Sequence, residues 1–464
     1  MKHASSAFRE LRPFLLLWLT QSLSSLGSSM TSFALVLWSY QAEGSALSTA
    51  LLSVCSYAPY VLVSIFAGAL SDRWNKKATM LCCDSFAALC TLSVLVLAGT
   101  GRLAVWHLYL VNALTGLMNT VQQPAADVAV TLLTPEKHYQ RVSGLRSFSY
   151  SLNNMLSPAL GTALYSLLGL PAVILFDLAT FAVAFCSLLV GISIPNSNSG
   201  GTAEESVLQS ARAGLAYLGR NRGILDLILF LAAINLTASM FNAALPALAL
   251  SRPWGGEGAL GLVQGVSGAA MLAGSAAASL LPAPKSRVKV ICGTLLLAMS
   301  TENFLLALGR SLPVWCLGAA VAWVGIPIMN ANMDALFRGY IPVDIQGRVY
   351  AARNSLQFFT IPVGYLLGGA LVDLVFEPLA AQMTPDGLWA LLFGTGGGSG
   401  CAALFLLLGF LGLMSMFFPP AVMRLSPAAY YGLLSNVRMV WEPDTRVVTY
   451  FRQPFSWSDL SLLL

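Results

Sequence analysis

Three acidic side chains stand inside otherwise apolar stretches: Asp84, Asp177 and Glu302. A carboxyl group in a low-dielectric medium can carry a proton near neutrality and give it up when its surroundings change. Each acid is thus a candidate for a coupling proton, the competing reading being a structural acid bonded to a neighbouring helix. Amides and hydroxyls recur beside them at spacings of three and four: Asn112, Thr115, Asn119 and Gln122 or Gln123, then Gln21, Ser25, Ser28 and Ser32. Further sets are Ser53, Tyr57, Tyr60 and Ser64, Ser147, Tyr150, Asn154 and Ser157, and Asn235, Ser239 and Asn242. On a helix each set shares one face. Such a face can hydrogen-bond a small molecule passing through a wet cavity, or it can bond another helix. Lysine and arginine are missing from the middle of every apolar stretch, so a neutral or cationic amphiphile suits these faces better than a strong anion. The eight cysteines form no C-x-x-C pair and only three histidines could join them, which argues against a disulfide or metal framework. No metal and no cofactor is expected.

The elements that must carry these residues are long and greasy. Of 464 residues, 56% are hydrophobic and 10% charged, against about 25% charged in a typical soluble domain. Lipid is the solvent that matches such a surface. The net charge of +5 is scattered and gives no nucleic-acid footprint. Twelve stretches are long enough to cross a bilayer as helices: Phe14–Tyr40, Leu47–Leu70, Thr79–Thr100, Val105–Val130, Ser143–Gly169 and Pro171–Ile192, then Ile224–Leu250, Gly258–Leu281, Val288–Leu308, Pro313–Phe337, Val349–Val375 and Gly387–Phe418. The loops and termini between them distribute 22 of the 25 basic residues to one side, here termed the basic end, leaving Arg102, Arg252 and Arg310 at the far end. The positive-inside rule makes the basic end cytoplasmic and places both termini there. The expected organisation is a six-helix bundle over 1–193, a cytoplasmic linker over 194–222, a second bundle over 223–418 and a cytoplasmic tail over 419–464. Thr202 with Glu205, followed by Leu208, Ala211, Leu215 and Leu218, predicts a short amphipathic helix in the linker.

The two halves register without a gap at an offset of 207 residues, the separation of Asp127 from Asp334. Pro135 falls on Pro342, Arg141-Val142 on Arg348-Val349, Arg146 on Arg353 and Gly161 on Gly368. The shared pattern D-x7-P-x5-R-V-x3-R points to a duplication, and parallel repeats of this kind belong to transporters whose halves rock about a central site.

Between the second and third stretches the chain reads Gly68-Ala-Leu-Ser-Asp72-Arg73-Trp-Asn75-Lys76-Lys77. This run resembles the G-x-L-A-D-R-x-G-R-K signature of the major facilitator superfamily, with Ser71, Asn75 and Lys76 departing from it. The resemblance implies a twelve-helix transporter fold in two pseudo-repeats, helices one, four, seven and ten around a central cavity, and a latch in this loop. The latch would comprise Gly68, Asp72, Arg73, Lys76 and Lys77, with Asp127, Arg141, Asp334 and Arg348 at the matching inner ends. Asp72 would face the start of helix eleven and Arg73 would pair with Asp127. Lys76 and Lys77 also serve as plain topology anchors. The cavity set is Gln21, Tyr57, Asn112, Thr115, Asn119, Gln122, Asn154, Asn235 and Asn242. In finer detail the chain resembles the macrolide and siderophore exporters, through Asp72-Arg73, Lys76-Lys77, Asp84 and Pro124-Ala125 in one half. In the other half it does so through Gly347-Arg348-Val349, Pro362-x-Gly364 and Gly369-x-x-x-Asp373. That resemblance implies proton-driven export of a small molecule by a monomer in the cell's inner membrane. An uptake symporter or a non-transporting sensor of the same fold stays open, because the arginine that drug antiporters carry in helix four is replaced by Asn112.

Overall fold

In a computed structural model the described residues are 2–135, 138–195, 221–281, 287–340 and 356–414, with isolated positions between them and residues 440–441 and 448–449 beyond. The linker helix expected from Thr202 onward lies outside them, apart from isolated positions at its end.

The first half is a run of long helices: α1 Lys2–Glu43, α2 Ala46–Arg73, α3 Lys76–Gly99, α4 Val105–Leu132, α5 Tyr139–Leu168 and α6 Leu170–Cys186, which continues as a π turn, Ser187–Gly191. The second half holds α7 Arg222–Ser251, α8 Glu257–Leu280, α9 Arg287–Leu296, α10 Leu312–Tyr340, α11 Thr360–Leu371 and α12 Ser399–Met414. Helix α9 runs on through a π turn, Leu297–Thr301, into Glu302–Leu308, and α11 through Val372–Phe376 into Glu377–Ala381. Among the described residues, strand is confined to Val440–Trp441 and Val448–Thr449.

Eight of these rods are long and apolar enough to cross a membrane. The long helices α1, α4 and α5 are not among them, and they are three of the rods that bear the polar stripes. Large apolar side chains elsewhere face outward, including Leu167, Val190 and Leu280, as lipid-facing residues must. The final stretch, Gly387–Phe418, is not one helix. Gly394, Gly396 and Gly398 adopt positive φ, which glycine alone takes at no steric cost, and the chain breaks between Leu388–Phe393 and Ser399–Met414.

Local chemistry explains the helix ends nearest the signature loop. Asn75, which stands where the signature has glycine, is the N-cap of α3: its Oδ1 accepts from Ala78 N at 3.0 Å. Lys77 Nζ donates to Leu189 O at 2.9 Å and Ile192 O at 2.8 Å, satisfying carbonyls at the end of α6. Proline interrupts α1, α2, α4, α5, α7 and α10, at Pro13, Pro59, Pro124, Pro158, Pro246 and Pro327. Each removes one backbone bond and lets its helix bend.

The apolar cores show how the halves meet. One large cluster joins both halves toward the far end, uniting Leu37, Tyr165 and Ile174 with Leu248, Trp315 and Phe405. Among the described residues the cores toward the basic end are separate. Leu227, Ile291 and Met329 belong to a cluster of the second half, while Leu17, Met80 and Ala129, and Leu11, Phe14 and Val142, form two of the first. The halves cross most intimately where α5 lies on α8 and α2 on α11. Glycines set the spacing there: Gly261 and Gly268 lie against Thr162 and Met155, and Gly369 against Ala46 and Leu47.

Candidate transport site

At the basic end the halves flank an open cavity of about 640 Å³ walled by α4 and α5 on one side and α8 and α10 on the other. Tyr139, Arg146, Ser147 and Tyr150 face Met271, Ser275, Pro327 and Asn330 across it. The stripe residues Ser147 and Tyr150 line this space. None of the nine residues named above for the cavity does; Asn112, Thr115, Asn119 and Gln122 sit further along α4 toward the far end.

Arg146 meets Asp127 in an ion pair at 2.5 Å, and Arg353 meets Asp334 at 3.9 Å. The two pairs are the first and last positions of the repeated pattern, so the duplicated sequence carries a duplicated contact tying helix four to five and ten to eleven. Asp127 is thus engaged within its own half by Arg146. The side chains of Asp72, Arg73 and Arg141, the surroundings of Gly68, and Arg348 altogether lie outside the described residues. Lys76 is buried, with Nζ 3.2 Å from Trp74 O, and Lys77 caps α6 as above.

The three acids separate by surroundings. Asp84 reaches from α3 to two of the striped helices, α4 and α1, accepting from Gln122 Nε2 at 2.6 Å and Gln21 Nε2 at 3.5 Å. Asp177 lies in a dry contact between α6 and α1, accepting from Ser28 Oγ at 2.9 Å beside Gly27. Glu302 is buried just after the π turn of α9 and accepts from Trp323 Nε1 of α10 at 3.2 Å.

The stripes divide in the same way. Asn153 of α5 donates to Ser29 at 2.9 Å and Ser25 at 3.3 Å, and Ser22 donates to Ser149 at 3.0 Å, so much of the α1 face bonds α5. Asn112, Thr115 and Asn242 turn back on their own helices, donating to Leu108 O, Val111 O and Ala238 O at 2.8 Å each. Asn119 is exposed, and Asn154 and Asn235 are half-buried. Tyr57 stacks on Tyr365 with ring centroids 6.2 Å apart, and Tyr60 meets Phe358 edge-on at 5.4 Å, so aromatic pairs bridge α2 and the α11 region. Tyr365 and Phe358 were missed from the sequence because neither falls on a polar stripe.

The sequence profile of the Major Facilitator Superfamily matches residues 17–301. The chain belongs to the Major Facilitator Superfamily. It is a multi-pass membrane transporter of that fold, not an enzyme. Macrolide efflux protein A of Streptococcus pyogenes is 22% identical over 366 residues, covering 78% of this chain and 90% of that protein. The multidrug efflux pump Tap of Mycolicibacterium fortuitum is 24% identical over 378 residues, covering 78% and 89%. Among solved structures, the nucleoside transporter NupG superposes with a TM-score of 0.64 at 13% identity, over 88% of this chain and 99% of that one. A bacterial homologue of the lysosomal transporter Spinster, solved inward-facing and unoccupied, gives 0.60 at 15% identity, over 93% and 99%.

Proposed function

We propose that this transporter exports a neutral or cationic amphiphilic small molecule of the macrolide or drug type, in exchange for protons, by alternating access. The observation that carries the reading is the split of the core: one cluster joins the halves at the far end, separate clusters stand at the basic end, and a cavity of about 640 Å³ lies between the halves there. With the basic end cytoplasmic, as its 22 lysines and arginines direct, this is an inward-facing state ready to load from the cytoplasm. Among the described residues the walls are aromatic, hydroxylic and apolar with one amide, Asn330, and Arg146 is paired with Asp127. That lining favours an uncharged or cationic amphiphile over a strong anion. The curated relatives named for macrolide and multidrug efflux support the direction.

Asp84 is the acid we assign to coupling. It touches α1 and α4 through two glutamines, whose amides carry an acceptor as well as a donor and so can serve the acid in either protonation state, whereas Asp177 and Glu302 are buried in helix contacts. The test is uptake of a macrolide into inside-out vesicles under an imposed pH gradient, acid inside, with substrate counterflow in the same vesicles. Asp84→Asn should lose gradient-driven transport and keep counterflow. Gradient-driven transport at the wild-type rate in that variant would remove Asp84 from coupling, and absence of both activities in the wild type would remove the substrate class.

A further inference from the structure

The repeat relates the two crossings between the halves. Its 207-residue offset carries α2 onto α8 and α5 onto α11, so α2 on α11 and α8 on α5 are copies of one contact. Their chemistry differs. The α2–α11 crossing is pinned at its far end by Asp373, in the π turn that follows α11, which accepts from Ser45 Oγ at 2.6 Å, Leu47 N at 2.9 Å and Ala46 N at 3.1 Å. From there toward the basic end the crossing is aromatic. Tyr57 stacks on Tyr365 with the ring planes 21° apart, and Tyr60 meets Phe358 edge-on. On the other crossing Tyr57, Tyr60, Phe358 and Tyr365 map to Gln264, Ser267, Ser151 and Pro158, so every ring is missing there. Those helices touch instead through Gly261 and Gly268, against Thr162 and Met155. Nearer the basic end their small polar residues Ser147, Ser151 and Ser275 line the cavity, together with Asn330 of α10.

The two crossings open onto one space. Tyr150 of α5 lines the cavity and lies within electrostatic reach of Tyr57 of α2, and both rings are exposed. The pathway therefore has a polar lip on one side and a rib of rings on the other. Aromatic faces carry the negative pole of the ring quadrupole and attract cations. Hydroxyls and amides pair with hydrogen-bonding groups instead. Among the described residues that line the cavity none is acidic, so a cationic group entering it meets ring faces.

We infer that the two crossings turn the substrate: its apolar, cationic part lies on the rib of Tyr57, Tyr60, Phe358 and Tyr365, and its hydroxyl-bearing part faces Ser147, Ser151, Ser275 and Asn330. The inference rests on the amphiphile reading above and adds to it an orientation across the pathway and the residues that select each end.

The test measures binding to the purified protein in lipid nanodiscs with two probes. Tetraphenylphosphonium is a cation without hydrogen-bonding groups; erythromycin carries an amine and many hydroxyls. Tyr57→Leu and Tyr365→Leu should each weaken tetraphenylphosphonium binding about 2- to 30-fold, the range for loss of one cation–ring contact, and Tyr57→Phe, which keeps the ring, should restore most of it. Ser151→Ala combined with Ser275→Ala and Asn330→Ala should weaken erythromycin at least about threefold more than tetraphenylphosphonium. In the wild type, bound tetraphenylphosphonium should slow nitration of Tyr57 by tetranitromethane, mapped by peptide mass. Unslowed nitration at saturating cation, which needs no variant to fold, would overturn the rib. Equal weakening of both probes by the serine and asparagine changes would overturn the division of the site. Erythromycin counterflow in the wild type keeps the two readings apart. A protected Tyr57 without counterflow sinks the macrolide reading and leaves the rib, while counterflow with an unprotected Tyr57 does the reverse.

Discussion

Gly369 offers a direct way to shift the balance between the two faces of the transporter. A Cβ at this position would lie 2.7 Å from Leu47 Cα, 3.0 Å from Ala46 O and 3.0 Å from Ala50 Cβ. Two of these atoms are backbone and the third is a methyl group, so nothing can swing aside. Relief requires α2 and α11 to part by about 0.8 Å, the shortfall from an ordinary carbon–carbon contact of about 3.5 Å. Overpacking of this kind costs about 1–3 kcal/mol. The cost falls only on the far-closed state, because separation of the halves removes the clash. Gly369→Ala should thus shift the equilibrium toward far-open by roughly 5- to 150-fold. Ala247 is buried in the far-end cluster. A cysteine there, in a background lacking the eight native ones, reports opening through its rate of labelling by an impermeant maleimide. That rate should rise by the same factor. Gly274→Ala, which crowds Val324 inside one half, should lower thermal stability and leave the labelling rate alone. Equal labelling rates in Gly369→Ala and the parent would refute the argument that this crossing sets the closed state.

Three further outcomes follow from particular contacts. Exchanging the partners, Asp127→Arg with Arg146→Asp, should restore much of the transport that either single change removes, because the pair acts within one half; full loss in the double variant, measured at matched expression, would mean one of the two side chains touches substrate. Lys77→Met leaves the carbonyls of Leu189 and Ile192 without their cation and should cost about 1–3 kcal/mol of thermal stability while counterflow persists; a thermal melt and a counterflow assay on the same sample decide it. Asn119 is exposed, so Asn119→Leu should alter which substrates are carried more than it alters melting, and a large fall in stability with an unchanged substrate profile would make that face structural.

The sequence announces its apolar rods, the repeat and the basic end because each is written in composition or local spacing. What it leaves open is the neighbour. The face of α1 bearing Gln21, Ser25 and Ser28 has the spacing of a wet wall, yet these side chains bond Asp84, Asn153 and Asp177. Period alone does not distinguish water from a polar partner on another helix. Asp127 shows the same limit: the partner expected for it is Arg73, whose side chain lies outside the described residues, and the arginine that meets it is Arg146, one of the positions shared by the repeat. The glycines that break the last stretch are plain in the sequence, but the grip of Asp373 on the start of α2 joins segments hundreds of residues apart, and nothing in a local window encodes it.

The two kinds of contact also differ in when they can form. Asp127 and Arg146 are 19 residues apart, and their pair can close as soon as α5 is made. Asp373 lies 326 to 328 residues from the donors it serves. At about 5–20 residues per second the ribosome needs some tens of seconds to bridge that interval. Throughout it the first half must persist in the bilayer with the Ala46 and Leu47 N–H groups still waiting for their acceptor, while Ser45 caps Ser48 N locally. Its own staples make that wait tolerable, and they predict that the two halves, synthesised as separate chains cut within 194–222, will find one another and assemble.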